Sequence, residues 1–376
     1  MRRLRAGLLA ASMLMAPGCG PPRPVRAWFV DSLIKVFPEH KVGQDELRPA
    51  ALAAARGAHL SVQLALRAEA GIGDLYVDAM PLAGPGIPIE RAQVRRVEYV
   101  VVTTNTPGTP AGELLRRAPA LFPDALLGTF PMTVERRRTR SVWITITVPT
   151  DQTPGLYRGE LRLRQGVEET ERLPYTLEVK TVAIPQAIPL ELPVQVALTD
   201  TLMKQFFRAP LSSEEGMRVV RNITGFWKGY YVSPAPADAR PAGSGRGPNV
   251  FIDNSLVKAR LLPWLAFTHG PAALPRLRGN DWGPQPMKDT QPVFAQDTGY
   301  PPPGDAYLTY PDRDARSVLS SIRLEQLREG MEDYSLLVEL GRQRPEAARA
   351  LAGQTVRDAS QFRAIQRKLL DAAAAH

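Results

Sequence analysis

Carboxyl groups stand side by side at Asp45-Glu46, Glu214-Glu215 and Glu332-Asp333, and an amide, a carboxylate and an indole follow one another at Asn280, Asp281 and Trp282. Two carboxyls whose surroundings push their pKa values apart can divide acid and base work. An indole beside planar amide and carboxylate groups suits sugar binding: the ring takes the apolar face of the sugar and the polar groups take its hydroxyls. Asp305, in GDAYLTYP, is a further candidate for such a hydroxyl. Each has a plainer reading beside it. The Asn280 to Trp282 stretch can be a loop anchored by its Trp, Asp305 a turn former, and Glu332-Asp333 part of an ion-paired helix.

Other chemistries find less support. His40, His59, His269 and His376 lack the spacing of a metal site, so no metal is expected. Ser244, in AGSGRG, has Ala242 where a nucleophile elbow needs glycine. The glycine clusters do not open a helix after a strand, so no phosphate cradle and no cofactor are expected. The basic run from Glu135 to Arg140 lacks interleaved aromatics and directly precedes a strand. It reads as a solvated loop or strand face, and no nucleic-acid partner is expected.

Residues 1–18 combine Arg2, Arg3 and Arg5 with an apolar stretch from Ala6 to Ala16 that is too short to span a bilayer, the pattern of an export signal. The sole cysteine, Cys19, follows Gly18. The arrangement resembles a bacterial lipobox, with Ala16 where Leu is usual three residues before the cysteine. That resemblance implies acylation of Cys19 and a membrane anchor made of lipid chains in the cell envelope. The alternative is a plain secretory signal with a chance cysteine.

A chain of 376 residues is long enough for two domains. Its 36 prolines, about twice the usual frequency, favour short strands and fixed loops over a helical bundle. In SVWITITV, Val142, Ile144 and Ile146 alternate with Trp143, Thr145 and Thr147, a half-buried strand with large residues on both faces. LYRGELRL, LPYTLEVKTVAI, HLSVQLALRA, DLYVDAMPL and QVRRVEYVVVTT alternate similarly. Residues 19–185 are therefore predicted to form an all-β sandwich. In 186–376 the texture becomes α/β: ELPVQVAL as a strand, SSEEGMRVVRNITGFWKGYY as a helix, and a second helix entered through Asp253 or Asn254. Residues 232–249, rich in Pro, Gly, Ala and Ser, read as a linker.

The stretch SIRLEQLREGMEDYSLLVEL, Ser321 to Leu340, is the most sharply patterned helix. Leu324, Leu327, Met331, Tyr334 and Val338 share a stripe bordered by Arg323 and Arg328. Arg328 can reach Glu325 and Glu332, pairs worth only tenths of a kcal/mol on a helix surface. Ser321 is placed to cap the helix. Leu336, Leu337 and Leu340 lie off the stripe, so the far end should be covered on more than one side. The acids here read as fold-holding.

VWITITVPTDQTPGLYRGELRL and the segments before it resemble, in order, the N-terminal β-sandwich of glycoside hydrolase family 123. GDAYLTYP followed by SIRLEQLREGMEDY resembles the end of the (β/α)8 barrel in the same relatives, the domain of unknown function 4091. The resemblance implies a sandwich followed by an α/β domain that is an incomplete (β/α)8 barrel, since 186–376 is shorter than the ~250 residues of a complete one. Family members remove terminal N-acetylgalactosamine with help from the substrate's own acetamido group, using an adjacent Asp-Glu pair. Here the Asp-Glu dipeptide is Asp45-Glu46, inside the sandwich, so no catalytic residue is carried across. Three readings follow: a degenerate relative that binds a glycan or protein partner without turnover, an active N-acetylhexosaminidase, or an envelope scaffold. An incomplete barrel would also expose strand edges that a protein partner could cover.

Overall fold

The computed structural model describes residues 24–235, 247–288 and 302–375, so Cys19 and the rest of the expected signal lie outside the described residues. Ten strands come first: β1 (Val25–Asp31), β2 (Ala51–Arg56), β3 (His59–Ala68), β4 (Ile72–Ala79), β5 (Ala92–Val102), β6 (Ala120–Leu127), β7 (Met132–Val134), β8 (Thr139–Thr147), β9 (Gly155–Gln165) and β10 (Glu168–Ala183), with the six alternating segments forming β3, β4, β5, β8, β9 and β10. They pair as two five-stranded sheets, β1-β3-β8-β5-β6 and β2-β10-β9-β4-β7. All pairs are antiparallel except β2 with β10. Leu64, Leu66, Ile144 and Ile146 share one core with Tyr157, Leu161, Leu163 and Leu177.

Beyond the sandwich come β11 (Leu192–Gln195), α1 (Asp200–Phe207), α2 (Glu214–Lys228), β12 (Val232–Ala235), α3 (Leu256–His269) and β13 (Leu277–Arg278). Both β12 and β13 run parallel to β11, in the order β12-β11-β13. The expected linker thus opens with a strand, because Val232 to Ala235 pair in parallel with Leu192 to Gln195. Such pairing leaves no local turn signal to read. The chain ends with the hairpin β14 (Tyr310–Asp312) and β15 (Ser317–Leu319), then α4 (Ile322–Gln343), α5 (Pro345–Ala352) and α6 (Ala359–Ala374).

Helix α4 joins the two halves. Leu324, Leu327, Met331 and Tyr334 pack with β11 and α3 in the second core, while Ile322, Leu336, Leu337 and Leu340 belong to the core of the sandwich and C-terminal helices. Ser321 caps the helix, accepting from the Leu324 amide at 3.2 Å and donating to the Leu308 carbonyl at 2.7 Å. Gly330 permits close packing of α3: a Cβ there would lie 2.4 Å from the Arg260 carbonyl oxygen.

The burial of α4 exceeds the one-stripe expectation. Arg323, Glu325, Gln326 and Glu329 are each 0% exposed, because the sandwich covers the face that a lone helix would turn to water. β8 is buried on both faces for the same reason, and the Thr145 hydroxyl reaches Glu325 at 3.3 Å. The pairs of α4 are therefore interior ones, whose rupture costs far more than a surface pair.

Arg323 is the clearest case. Its Nε and Nη2 donate to the two carboxylate oxygens of Asp124 on β6, each at 2.8 Å. Its remaining N–H groups meet the carbonyls of Val250 (2.7 Å), Gly304 (3.1 Å) and Tyr307 (3.0 Å). Tyr310 also donates its hydroxyl to Asp124 at 2.6 Å. Arg323→Met should lower the unfolding free energy in urea by about 3–5 kcal/mol, since it strands a buried carboxylate. Adding Asp124→Leu should recover much of that loss, and a double variant no more stable than Arg323→Met would contradict the pairing.

Candidate functional site

In parallel α/β layers, ligands collect at the carboxyl ends of the strands. Here those ends are the residues following β11 and β13. Asn280 follows β13, is wholly buried, and clasps the backbone of Ala197 beyond β11: its Nδ2 donates to the Ala197 carbonyl at 2.6 Å and its Oδ1 accepts from the Ala197 amide at 2.7 Å. Trp282 is 8% exposed. It donates its indole N–H to the Thr309 carbonyl at 2.6 Å and stands edge-on to Phe206 and Phe207 at 5.1 and 6.2 Å. Asp281 turns outward, with its side chain 45% exposed and Arg278 at 3.7 Å. Asp305 is buried, 5% exposed, in the loop where its amide donates to Pro302.

The structure thus brings all four sequence-chosen residues of this region to one place. The Asp281 amide donates to Ala306 at 3.0 Å, and Asn280 bridges Tyr307 across the same seam. Asn280 and Trp282 hold the strand ends together, and Asp281 is the most exposed polar group of the four. Phe206, against which Trp282 packs, also lines a groove of about 820 Å³ between the second domain and the sandwich.

The adjacent acids of α4 point to separate partners, as neighbours 100° apart on a helix must. Glu332 accepts from His59: the ring Nδ1 lies at 2.6 Å from Oε1 and the backbone amide at 2.9 Å from Oε2, while Tyr231 donates to it at 3.2 Å. Asp333 takes Arg260 in a fork, Nε at 2.6 Å and Nη2 at 3.0 Å, with Gln366 at 3.2 Å. Arg260 also pairs with Glu329. Glu325 accepts from Arg95 (2.8 Å), Tyr230 (2.6 Å), Ser320 (2.8 Å) and Arg328. The expected Arg328–Glu325 pair is present, while Glu332 faces His59 and Tyr231 instead. Asp45-Glu46 lies in the sandwich beside His40 and Arg48, and Glu215 joins Arg218 and Arg316.

His59, Arg95, Asp124, Tyr230 and Tyr231 escaped the sequence reading. Their partners lie 95 to 273 positions away along the chain, and only the fold brings them together. Among the described residues no group of three or more His, Cys, Asp or Glu side chains could hold a metal ion, and no helix is long and apolar enough to cross a membrane.

Burial opposes the charge of Glu325, but Arg328 and Arg95, with the Tyr230 hydroxyl, outweigh it and hold its carboxyl below the usual range. At Glu329 burial wins over Arg260 and raises the carboxyl. A depressed carboxyl contributes stability fully above its unfolded value, here 4.5, and loses it as pH falls through the lower folded value. Glu329 acts in the opposite sense, its cost disappearing toward acid. Urea titrations from about pH 6 down to about pH 2 should show unfolding free energy falling on the acid side, with a shallower slope in Glu325→Gln. Equal slopes would remove Glu325 from the acid response.

Comparison with known proteins follows the same division of the chain. Residues 37–165 match the model of the glycoside hydrolase 123 N-terminal domain, and residues 241–340 match that of the glycoside hydrolase 123 catalytic domain. The fold is similar to that of a family 123 glycoside hydrolase from Clostridium perfringens, whose structure details glycolipid glycan hydrolysis: 10% identity over 93% of this chain and 97% of that chain, with a TM-score of 0.68. Weaker likenesses include a PapD-like domain of human CEP192 (12% identity, 48% of this chain, 100% of that chain, TM-score 0.22). Another is a cohesin–dockerin complex from Clostridium thermocellum (10% identity, 41% of this chain, 98% of that chain, TM-score 0.18). No curated protein matches the sequence. With two domain models of one family matched in order along the chain, and the fold shared with a member of that family, this chain is a glycoside hydrolase family 123-like protein.

Proposed function

We propose that this protein binds glycans without hydrolysing them, on a scaffold in which β11, β12 and β13 are the remnant of an incomplete (β/α)8 barrel. The supporting observation is what surrounds its adjacent acids. A glycosidase needs one carboxyl of raised pKa at the scissile bond and a second anionic group facing the same sugar. Glu332 and Asp333 instead accept from His59 and Arg260 in the interior, and Glu215 holds Arg218 and Arg316. Sugar contact falls to the strand-end region, where Asp281 offers a part-exposed carboxylate and Phe206, packed on Trp282, lines the groove.

Nitrophenyl N-acetylgalactosaminide and N-acetylglucosaminide should release no nitrophenol, while titration calorimetry with N-acetylhexosamine oligosaccharides should record binding. Sustained release would make the protein an N-acetylhexosaminidase, and absence of both signals would leave a scaffold.

The same proposal places the protein in a bacterial cell envelope, exported by the N-terminal signal and acylated at Cys19. The support is the arginine-led apolar leader followed at once by the sole cysteine. Cys19→Ala should move the protein from the membrane fraction to the soluble one. Continued sedimentation of that variant with membranes would refute the anchor.

A further inference from the structure

The groove of about 820 Å³ at the domain seam falls within the ~300–1,000 Å³ of small-ligand sites. Arg96 on β5 and the residues after β6 form one wall, and the segment after Trp282 with the β14–β15 turn forms the other. Its surface is of two kinds. Pro286, Met287 and Pro311 give flat apolar ground, while Arg96, Lys288 and Arg313 supply cations and Asp312 and Asp314 supply carboxylates.

What sets these charges apart is that, among the described residues, none of them has an ion-pair partner. Arg95, the neighbour of Arg96, is held by Glu325, and Arg316, the last residue of the turn, is held by Glu215. Among the described residues no carboxylate pairs with Arg96, Lys288 or Arg313. Arg96 is half-buried, and its Nε, like those of Arg95 and Arg328, is shielded from solvent with no acceptor; Arg95 and Arg328 already have Glu325 for their charge, and Arg96 has no such partner among the described residues. Arg323, in the same protein, satisfies every N–H it has. A shielded donor without an acceptor is the exception in folded proteins and calls for one. Asp312 accepts from the Ala315 amide at 3.0 Å through Oδ1, which leaves Oδ2 for another donor, and Asp314 is exposed.

We propose that this groove binds an acidic saccharide, a sugar carrying a carboxylate such as a uronic acid unit. The ligand's carboxylate meets Arg96, with Lys288 and Arg313 adding charge at the rim, because a guanidinium matches a carboxylate in both shape and sign. Its hydroxyls donate to Asp312 and Asp314, and its C–H face lies on the prolines and Met287. The inference rests on the glycan-binding reading and gives it a charge preference, since a neutral sugar would leave three cations uncompensated.

Titration calorimetry of the whole chain with an oligogalacturonate and with its carboxyl-reduced, neutral counterpart tests this. The acidic oligomer should bind about tenfold tighter or more, with the advantage shrinking at high salt. Lys288 and Arg313 are exposed, so the double variant Lys288→Gln, Arg313→Gln leaves the fold intact. It should lose about tenfold in affinity for the acidic oligomer while binding a neutral N-acetylhexosamine oligosaccharide as before. Arg96→Lys, which keeps the charge and removes the fork, should weaken acidic binding alone. Equal affinity for the acidic and reduced oligomers, or undiminished acidic binding in the double variant, would overturn the groove assignment and leave glycan binding standing if the neutral oligosaccharide still binds. Absence of binding by every sugar would overturn both.

Discussion

The buried pairing of Arg323 with Asp124 ties this protein into one body. A guanidinium wholly out of water is tolerable only when its charge is matched and its donors are met. The acceptors come from β6 in the sandwich and from three carbonyls of the second domain. Neither domain alone supplies the set. The pairs Glu325–Arg95 and Glu332–His59 repeat the design further along α4, each joining the helix to a sandwich strand. Arg260, Glu329 and Asp333 then bind α4 to α3. Apolar packing supplies the bulk of the cohesion, and the ion pairs fix the rotation and height at which α4 sits between the two cores.

This arrangement accounts for a helix dense in acids that does no visible acid chemistry. Adjacent carboxyls on a helix diverge, and those of α4 meet cations on different neighbours. Glu325 is driven toward permanent ionisation and Glu329 away from it. The contrast has the form of an acid–base pair, yet both groups are fully buried among protein partners with no space for a sugar between them. Perturbed titration here reports structural confinement, since buried ion networks shift pKa values as active sites do.

Much of the sandwich could be read from alternation alone. β3, β8, β9 and β10 have period-two patterns bounded by turn residues, and those signals are local. The second cover on β8 could not be read, because it comes from a helix some 180 positions later. The stripe of α4 was legible and the burial of its charges was not: spacing gives ion pairs, and only tertiary contact removes their water. The start of α3 shows the same limit. Ser255, not Asp253 or Asn254, accepts the capping bond, since the Asp253 carboxylate is taken by the Thr106 amide and hydroxyl at 2.7 and 2.6 Å. At the strand ends, sequence brought forward the right neighbourhood through Asn280, Asp281, Trp282 and Asp305. It could not show that Asn280 would be engaged with Ala197 on both sides of its amide, nor that Arg96 would have no ion-pair partner among the described residues.

The outer sheet face that receives α4 carries Ser61, Gln63, Arg95 and Thr145, an unusually polar lining for a surface that ends up dry. On the ribosome that composition has a use. The last sandwich strand closes at Ala183 and α4 ends at Gln343, an interval that takes on the order of ten to thirty seconds at ordinary synthesis rates. An apolar face left open for that time would invite aggregation, whereas hydroxyls and a guanidinium stay hydrated until the helix arrives. Glu325 of α4 then replaces water as the partner of Arg95 and Thr145, while the Gln63 amide is held within the sandwich by the carbonyls of Asp31 and Ile34.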